Sequence, residues 1–223
     1  MLERILDVAA ADRGRALPGT PTPDRITVVF LGDLIDRGPG SAEVVARAEA
    51  GAPAHGPLSG AQWITLAGNH EDYLVSFLRD ISVGPAWVRN GGQATIASYG
   101  AALGDDRDYE GLQATLWRVI PAHHLRFLID LPKCHVEGGY VFVHAGIRPG
   151  IPLDHQSALD LMWMREPFIS WNRPLERMVV HGHTMVAEPE IHPHRIAIDT
   201  GAYRSDRLTC LVLEGEDRRF LTT

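Results

Sequence analysis

Apolar and polar positions fall into two patterns along this chain. Leu2, Ile5, Leu6 and Ala9 keep the i, i+3, i+4, i+7 spacing of one helix face, which predicts an amphipathic helix over 2–11. ITVVFL (26–31) is instead a continuous apolar run, the mark of a strand covered on both faces. QWITLA (62–67) reads as the next strand and 41–50 as a helix. Residues 13–25 and GAPAHGPLSG (51–60), rich in Gly and Pro, read as loops.

From 70 to 130 the pattern turns helical, with HEDYLVSFLRD, GGQATIASYG, LQATLWRVI and AHHLRFLID as the segments of a helical insertion or cap. Strands return as KCHVE and YVFVHAG, a hairpin across Gly138-Gly139. A helix near 156–162 follows, then strands RMVVHG, RIAIDTG, LTCLVLEG and RRFLTT. Helix-separated strands come first and hairpin-linked strands later. The predicted fold class is therefore α/β, two mixed β-sheets packed as a sandwich with helices outside, in a single domain over 1–223.

Composition narrows the function classes. The formal charge is −7 and the arginines are scattered, so no basic patch for nucleic acid is expected. No apolar run approaches the roughly eighteen residues of a membrane span. The opening MLERILDVAAADRGR lacks the apolar stretch of a secretory leader, which points to a cytoplasmic protein. Cys134 and Cys210 sit in predicted strands and read as buried thiols of a reducing compartment.

The chemistry lies at the strand ends. VVFL runs into Gly32-Asp33, ITLA into Gly68-Asn69-His70-Glu71, and YVFV into His144-Ala145-Gly146. MVV runs into His181-Gly182-His183, and IAI into Asp199-Thr200-Gly201. Ligands bind outside the carboxyl ends of strands in open α/β sheets, so five such ends predict one shared pocket. Asp, Asn and His supply oxygen and imidazole ligands without thiolate, a set suited to Mn²⁺, Fe or Zn²⁺. A lone strand-end Asp is usually a turn former, but capping does not call for histidine. His55, His123, His124, His135, His155, His192 and His194 read as ordinary surface or core residues.

GDLIDRG, GNHE, HAG and HGHT, in that order, resemble the phosphoprotein phosphatase family of metallophosphoesterases. WMREPF (163–168) and NGGQATIASYG (90–100) are similar to its bacterial serine/threonine phosphatase-like branch. The resemblance implies a metal-dependent phosphoester hydrolase in which water attacks phosphorus directly. It implies two divalent ions sharing Asp33, the second completed by Asn69, His144 and His183. It makes His70 the general acid, Asp36 the carboxylate that orients it, and Arg37 and Arg165 the phosphate clamp with Asn69. His181 is left open, and Asp199 is expected to hold a loop or orient His183.

That family also carries a strand ending in Gly-Asp-x-His-Gly near its N-terminus, which completes its first metal site. The sequence here has no such motif, so only the second site is complete. The expectation is a start assigned too far downstream, with the motif encoded before Met1, and weak turnover without it. Three functions remain in view. One is a phosphatase acting on a phosphorylated protein or a small phosphoester. Another is a dinucleoside tetraphosphate hydrolase using the same metals. The last is a metal-binding but non-catalytic binding protein.

Overall fold

The computed structural model describes residues 1–13, 25–104 and 107–223. Most of the loop expected over 13–25 lies outside the described residues. The chain runs α1 (Leu2–Arg13), β1 (Thr27–Phe30), α2 (Ser41–Glu49) and β2 (Gln62–Thr65). A helical stretch follows: α3 (Asn69–Phe77), α4 (Gly84–Trp87), α5 (Gln93–Ser98), α6 (Tyr109–Val119) and α7 (Ala122–Asp130). Then come β3 (Cys134–Glu137), β4 (Tyr140–Val143), α8 (Ala158–Trp163), β5 (Met178–His181), β6 (Glu190–Ile191) and β7 (Arg195–Ala197). The short α9 (Ala202–Ser205) and the β8 (Thr209–Glu214) and β9 (Asp217–Thr222) pair complete the order.

This is an α/β fold with mixed sheets and helices. β1 pairs with β2 in parallel, Val29 opposite Ile64. β3, β4, β5, β7 and β6 form a second sheet in that order, parallel from β4 to β7 and antiparallel at both margins. β8 and β9 form a separate antiparallel ribbon. Arg219 of β9 grips Asp12 of α1 through two guanidinium nitrogens, at 2.6 and 3.0 Å to one carboxylate oxygen. The Ala67 N–H donates to the Pro132 carbonyl at 2.8 Å and so joins the end of β2 to the chain entering β3.

Two apolar clusters flank the strand ends. One, within the helical stretch and α2, includes Leu74, Phe77, Trp87, Ile96, Leu116 and Leu128. The other lies around β4, β5 and α8 and includes Val141, Val143, Leu161, Phe168 and Val179. Cys134 and Cys210 are free thiols and only half-buried, not the buried thiols that their strand positions predict, because each lies in a strand near a sheet margin. No helix among the described residues is long and apolar enough to cross a membrane.

Candidate active site

The four predicted ligand residues lie together. Asn69 opens α3, and its Oδ1 is 2.9 Å from His144 Nε2 and 2.8 Å from His183 Nδ1. Asp33 Oδ1 is 3.3 Å from His144 Nε2. One donor atom each from Asp33, His144 and His183 falls within 4.8 Å of the others. His144 Nδ1 donates to the Leu31 carbonyl at 2.7 Å, which leaves Nε2 as the lone pair facing the cluster. Gly182 N–H donates to the His144 carbonyl at 2.8 Å and fixes one histidine loop against the other.

Close backbone approach makes this convergence possible. Gly32 adopts φ of +90°, and a Cβ there would sit 2.4 Å from the Gly68 nitrogen. A Cβ on Gly68 would in turn meet Asp33 Oδ1 at 2.3 Å. The ends of β1 and β2 can therefore deliver Asp33 and Asn69 side by side only with glycine at both places.

The backbone is strained where the side chains matter. Asp33, Asp36, Arg37 and His183 all have positive φ, between 55° and 73°. Such conformations cost on the order of 1–3 kcal/mol each and persist only where surrounding contacts over-determine them. Glu71 supplies those contacts for the first turn. It is 1% exposed, and its carboxylate accepts the N–H groups of Asp33 (2.8 Å), Leu34 (2.7 Å), Ile35 (3.3 Å) and Gly68 (2.7 Å). Burial, reinforced by the charge of Asp33, pushes the Glu71 carboxyl up despite these bonds. The GNHE motif alone assigns Glu71 no role; its place as an acidic third residue of α3 is the one signal in the sequence.

His70 faces the cluster. Its Nδ1 bonds Asp36 Oδ2 at 2.6 Å, and its Nε2 lies 4.0 Å from Asp33 Oδ2. Burial lowers the His70 pKa, but the Asp36 bond and the charges of Asp33 and Asp36 outweigh it and leave the group raised. Asp36 is held in turn by Trp87 Nε1 at 3.0 Å and the Thr95 hydroxyl at 2.5 Å, while its own N–H donates to Thr95 Oγ1 at 2.8 Å. Trp87 and Thr95 belong to the helical stretch. That layer therefore aims the histidine, a contribution that spacing along the chain does not reveal.

Arg37 is exposed at the rim. Its N–H donates to the Gly91 carbonyl at 3.1 Å, and its guanidinium lies 4.4 Å from the centre of the Tyr203 ring. Arg165, also exposed, is close enough to His183 for its charge to act on that ring. Burial chiefly, then His144 and Arg165, push His183 down to about 3. An ion pair of Arg165 with Glu166 does not form among the described residues; Glu166 accepts the Ser170 hydroxyl at 2.5 Å instead. His181 is fully buried against Phe168 and is not among the grouped donor residues, and burial pushes it down to about 3. Asp199 accepts the Gly201 N–H at 2.9 Å, and its carbonyl accepts Val186 N–H at 2.9 Å, so it ties the loop that follows His183.

The carboxylate, amide oxygen and two imidazoles, with donor atoms near 3 Å apart, fit a divalent transition ion. With this geometry in view, the family follows. Residues 2–188 match the model of the calcineurin-like phosphoesterases, and the chain belongs to that metallophosphoesterase family. It is similar to the asymmetrical bis(5'-nucleosyl)-tetraphosphatase PrpE of Bacillus thuringiensis, with 28% identity over 85% of this chain and 76% of that protein. It is 30% identical to the symmetrical bis(5'-nucleosyl)-tetraphosphatase of Aromatoleum aromaticum, over 62% of this chain but only 40% of that protein's length. Among solved structures, a candidate diadenosine tetraphosphatase shares the fold with a TM-score of 0.62, at 22% identity over 99% of this chain and 86% of the other. A cold-active protein-tyrosine phosphatase of a psychrophilic Shewanella shares it at 0.51, with 17% identity over 86% of this chain and 68% of the other.

Proposed function

We propose that this chain hydrolyses a phosphoanhydride bond of dinucleoside polyphosphates, using the strand-end cluster. Asp33, Asn69, His144 and His183 would hold a divalent ion of the Mn²⁺, Fe or Zn²⁺ group. Such an ion, when bound, acidifies water and offsets charge on phosphoryl oxygens. His70 holds a proton on Nε2, aimed at the cluster by the Asp36 bond, and passes it to the leaving oxygen. Arg37 and Arg165 flank the cluster and bind phosphoryl oxygens through the planar guanidinium fork.

One observation favours a nucleotide over a phosphopeptide. A recess of about 480 Å³ is lined by Arg148, Asp160, Trp163, Met164, Arg165 and Glu166 among others, and Trp163 links it to the cluster. The Trp163 ring centre is 6.5 Å from that of His183. Its Nε1 donates to Asp72 at 2.9 Å and Tyr73 meets it edge-on at 4.9 Å, so the indole is held in one orientation. A fixed indole beside a phosphoryl site is a stacking surface for a base. The relatives named as tetraphosphatases support the same reading.

The second reading, a phosphatase for phosphoserine or phosphothreonine, shares every catalytic residue. Turnover of diadenosine tetraphosphate and of a phosphoserine peptide, each with added Mn²⁺, separates the two. The first reading expects kcat/KM at least tenfold higher for the dinucleotide; the reverse order would establish the second.

A further inference from the structure

We infer that Glu49, His123 and His124 form a second cation site, built from other elements than the strand-end cluster, and that it takes a divalent ion of the zinc class. Glu49 ends α2, and the two histidines open α7. Consecutive helical residues point about 100° apart, so neighbouring histidines do not ordinarily address one acceptor. Here both rings turn a nitrogen toward Glu49 Oε2, His123 Nδ1 at 2.7 Å and His124 Nε2 at 3.8 Å. The rings meet edge to face at 4.6 Å, and one donor atom from each of the three residues lies within 4.8 Å of the others.

A fourth residue orients the buried member. The Tyr99 hydroxyl lies 3.0 Å from His124 Nδ1. In the tautomer where Nδ1–H donates to the Tyr99 hydroxyl, His124 Nε2 presents its lone pair to the Glu49 carboxylate. In that tautomer two acceptors face each other, and a cation between them would join the pair. Ligation of an imidazole whose other nitrogen is held by a protein group is the usual arrangement in zinc sites. Tetrahedral zinc with bonds near 2.0–2.1 Å places its ligand atoms roughly 3.3–3.5 Å apart. The two distances to Glu49 bracket that value, so small rotations complete the geometry. The His123 side chain is 57% exposed and free to make one of them. Two nitrogen donors favour zinc over magnesium or calcium. Water has access to a fourth position on the exposed side.

The placement has a consequence for the fold. α2 begins at Ser41, whose hydroxyl accepts the Asp36 N–H at 3.1 Å, and Tyr99 follows α5, which carries Thr95. Ser41 lies roughly 12 Å from Glu49 along the helix. An ion here would pin α2 to α7 across the end of α5, behind the layer that supports Asp36.

The test is zinc binding to the full chain after chelator treatment and desalting. Bound zinc is counted by elemental analysis, and visible absorption reports Co²⁺ used in its place. Glu49→Gln, at a half-buried position, and His123→Gln, at an exposed one, both leave the strand-end cluster intact. Wild type should bind one more equivalent than either variant, with at least tenfold weaker binding of that equivalent in both. Asp33→Asn, which disables the other cluster, should retain one equivalent and its Co²⁺ spectrum. Equal stoichiometry in wild type and in the Glu49 and His123 variants would overturn the site, as would an Asp33→Asn protein that binds no zinc.

Discussion

The Glu71 carboxylate accepts the backbone N–H of Asp33 at 2.8 Å, 38 residues away in sequence. A fully buried acid thus holds the backbone of the residue expected to bridge cations, not its side chain. Glu71→Gln keeps the shape and replaces one acceptor oxygen with a donor that faces backbone N–H groups. We expect a stability loss of about 2–4 kcal/mol and weaker metal binding, read by denaturant titration and by metal content. Unchanged metal affinity in a folded variant would show that this turn does not need its anchor.

His70→Asn removes the proton donor, leaves all four donor residues in place and keeps the backbone N–H that donates to Asp33 Oδ1 at 3.2 Å. Activity should fall by about 10²–10⁴, while bound metal stays equal to wild type by elemental analysis. Loss of metal would move His70 from proton transfer to ligation.

The Arg37 guanidinium lies against the Tyr203 ring, and Tyr203 is itself 46% exposed. A cation over an exposed ring contributes about 0.5–1 kcal/mol. Tyr203→Ala should therefore raise KM about two- to fivefold with kcat nearly unchanged, and Tyr203→Phe should restore it. A fall in kcat alone would place Tyr203 in the chemistry instead.

His181 stays neutral in the folded chain down to about 3, because burial disfavours its charge. The unfolded chain takes up that proton below about pH 6.5. Above that pH the group has no effect; below it the unfolded state binds more protons and stability falls. The loss approaches 1.4 kcal/mol per pH unit, or about 2 kcal/mol between pH 6.5 and 5. Denaturation curves across that range should show a shallower pH dependence for His181→Gln. Parallel slopes in the two proteins would assign the acid sensitivity elsewhere.

Much of this architecture is legible in the sequence, and the reason is periodicity. The apolar runs at 26–31 and 62–67 become β1 and β2, and the Gly138-Gly139 hairpin joins β3 to β4. Asp33, Asn69, His144 and His183 stand out because Asp, Asn and His follow apolar strands. What stays hidden is support reached only through folding. Thr95 and Trp87 reach Asp36 from 59 and 51 residues away, inside helices whose pattern speaks only of packing. β6 has two residues and α9 four, too short for any period to register. Glu49 and the histidines at 123 and 124 gain meaning only when α2 and α7 lie side by side.

The parallel pairing of β4 with β5 brings the loop of His144 to the loop of His183, and β5 must pair with β7 to be enclosed. Neither contact is local, and non-local pairing forms slowly. A nascent or partly refolded chain therefore has no complete grip on a cation, however well formed its helices are. Metal uptake during refolding would keep time with the last tertiary contacts, and would report native assembly more sharply than the recovery of secondary structure.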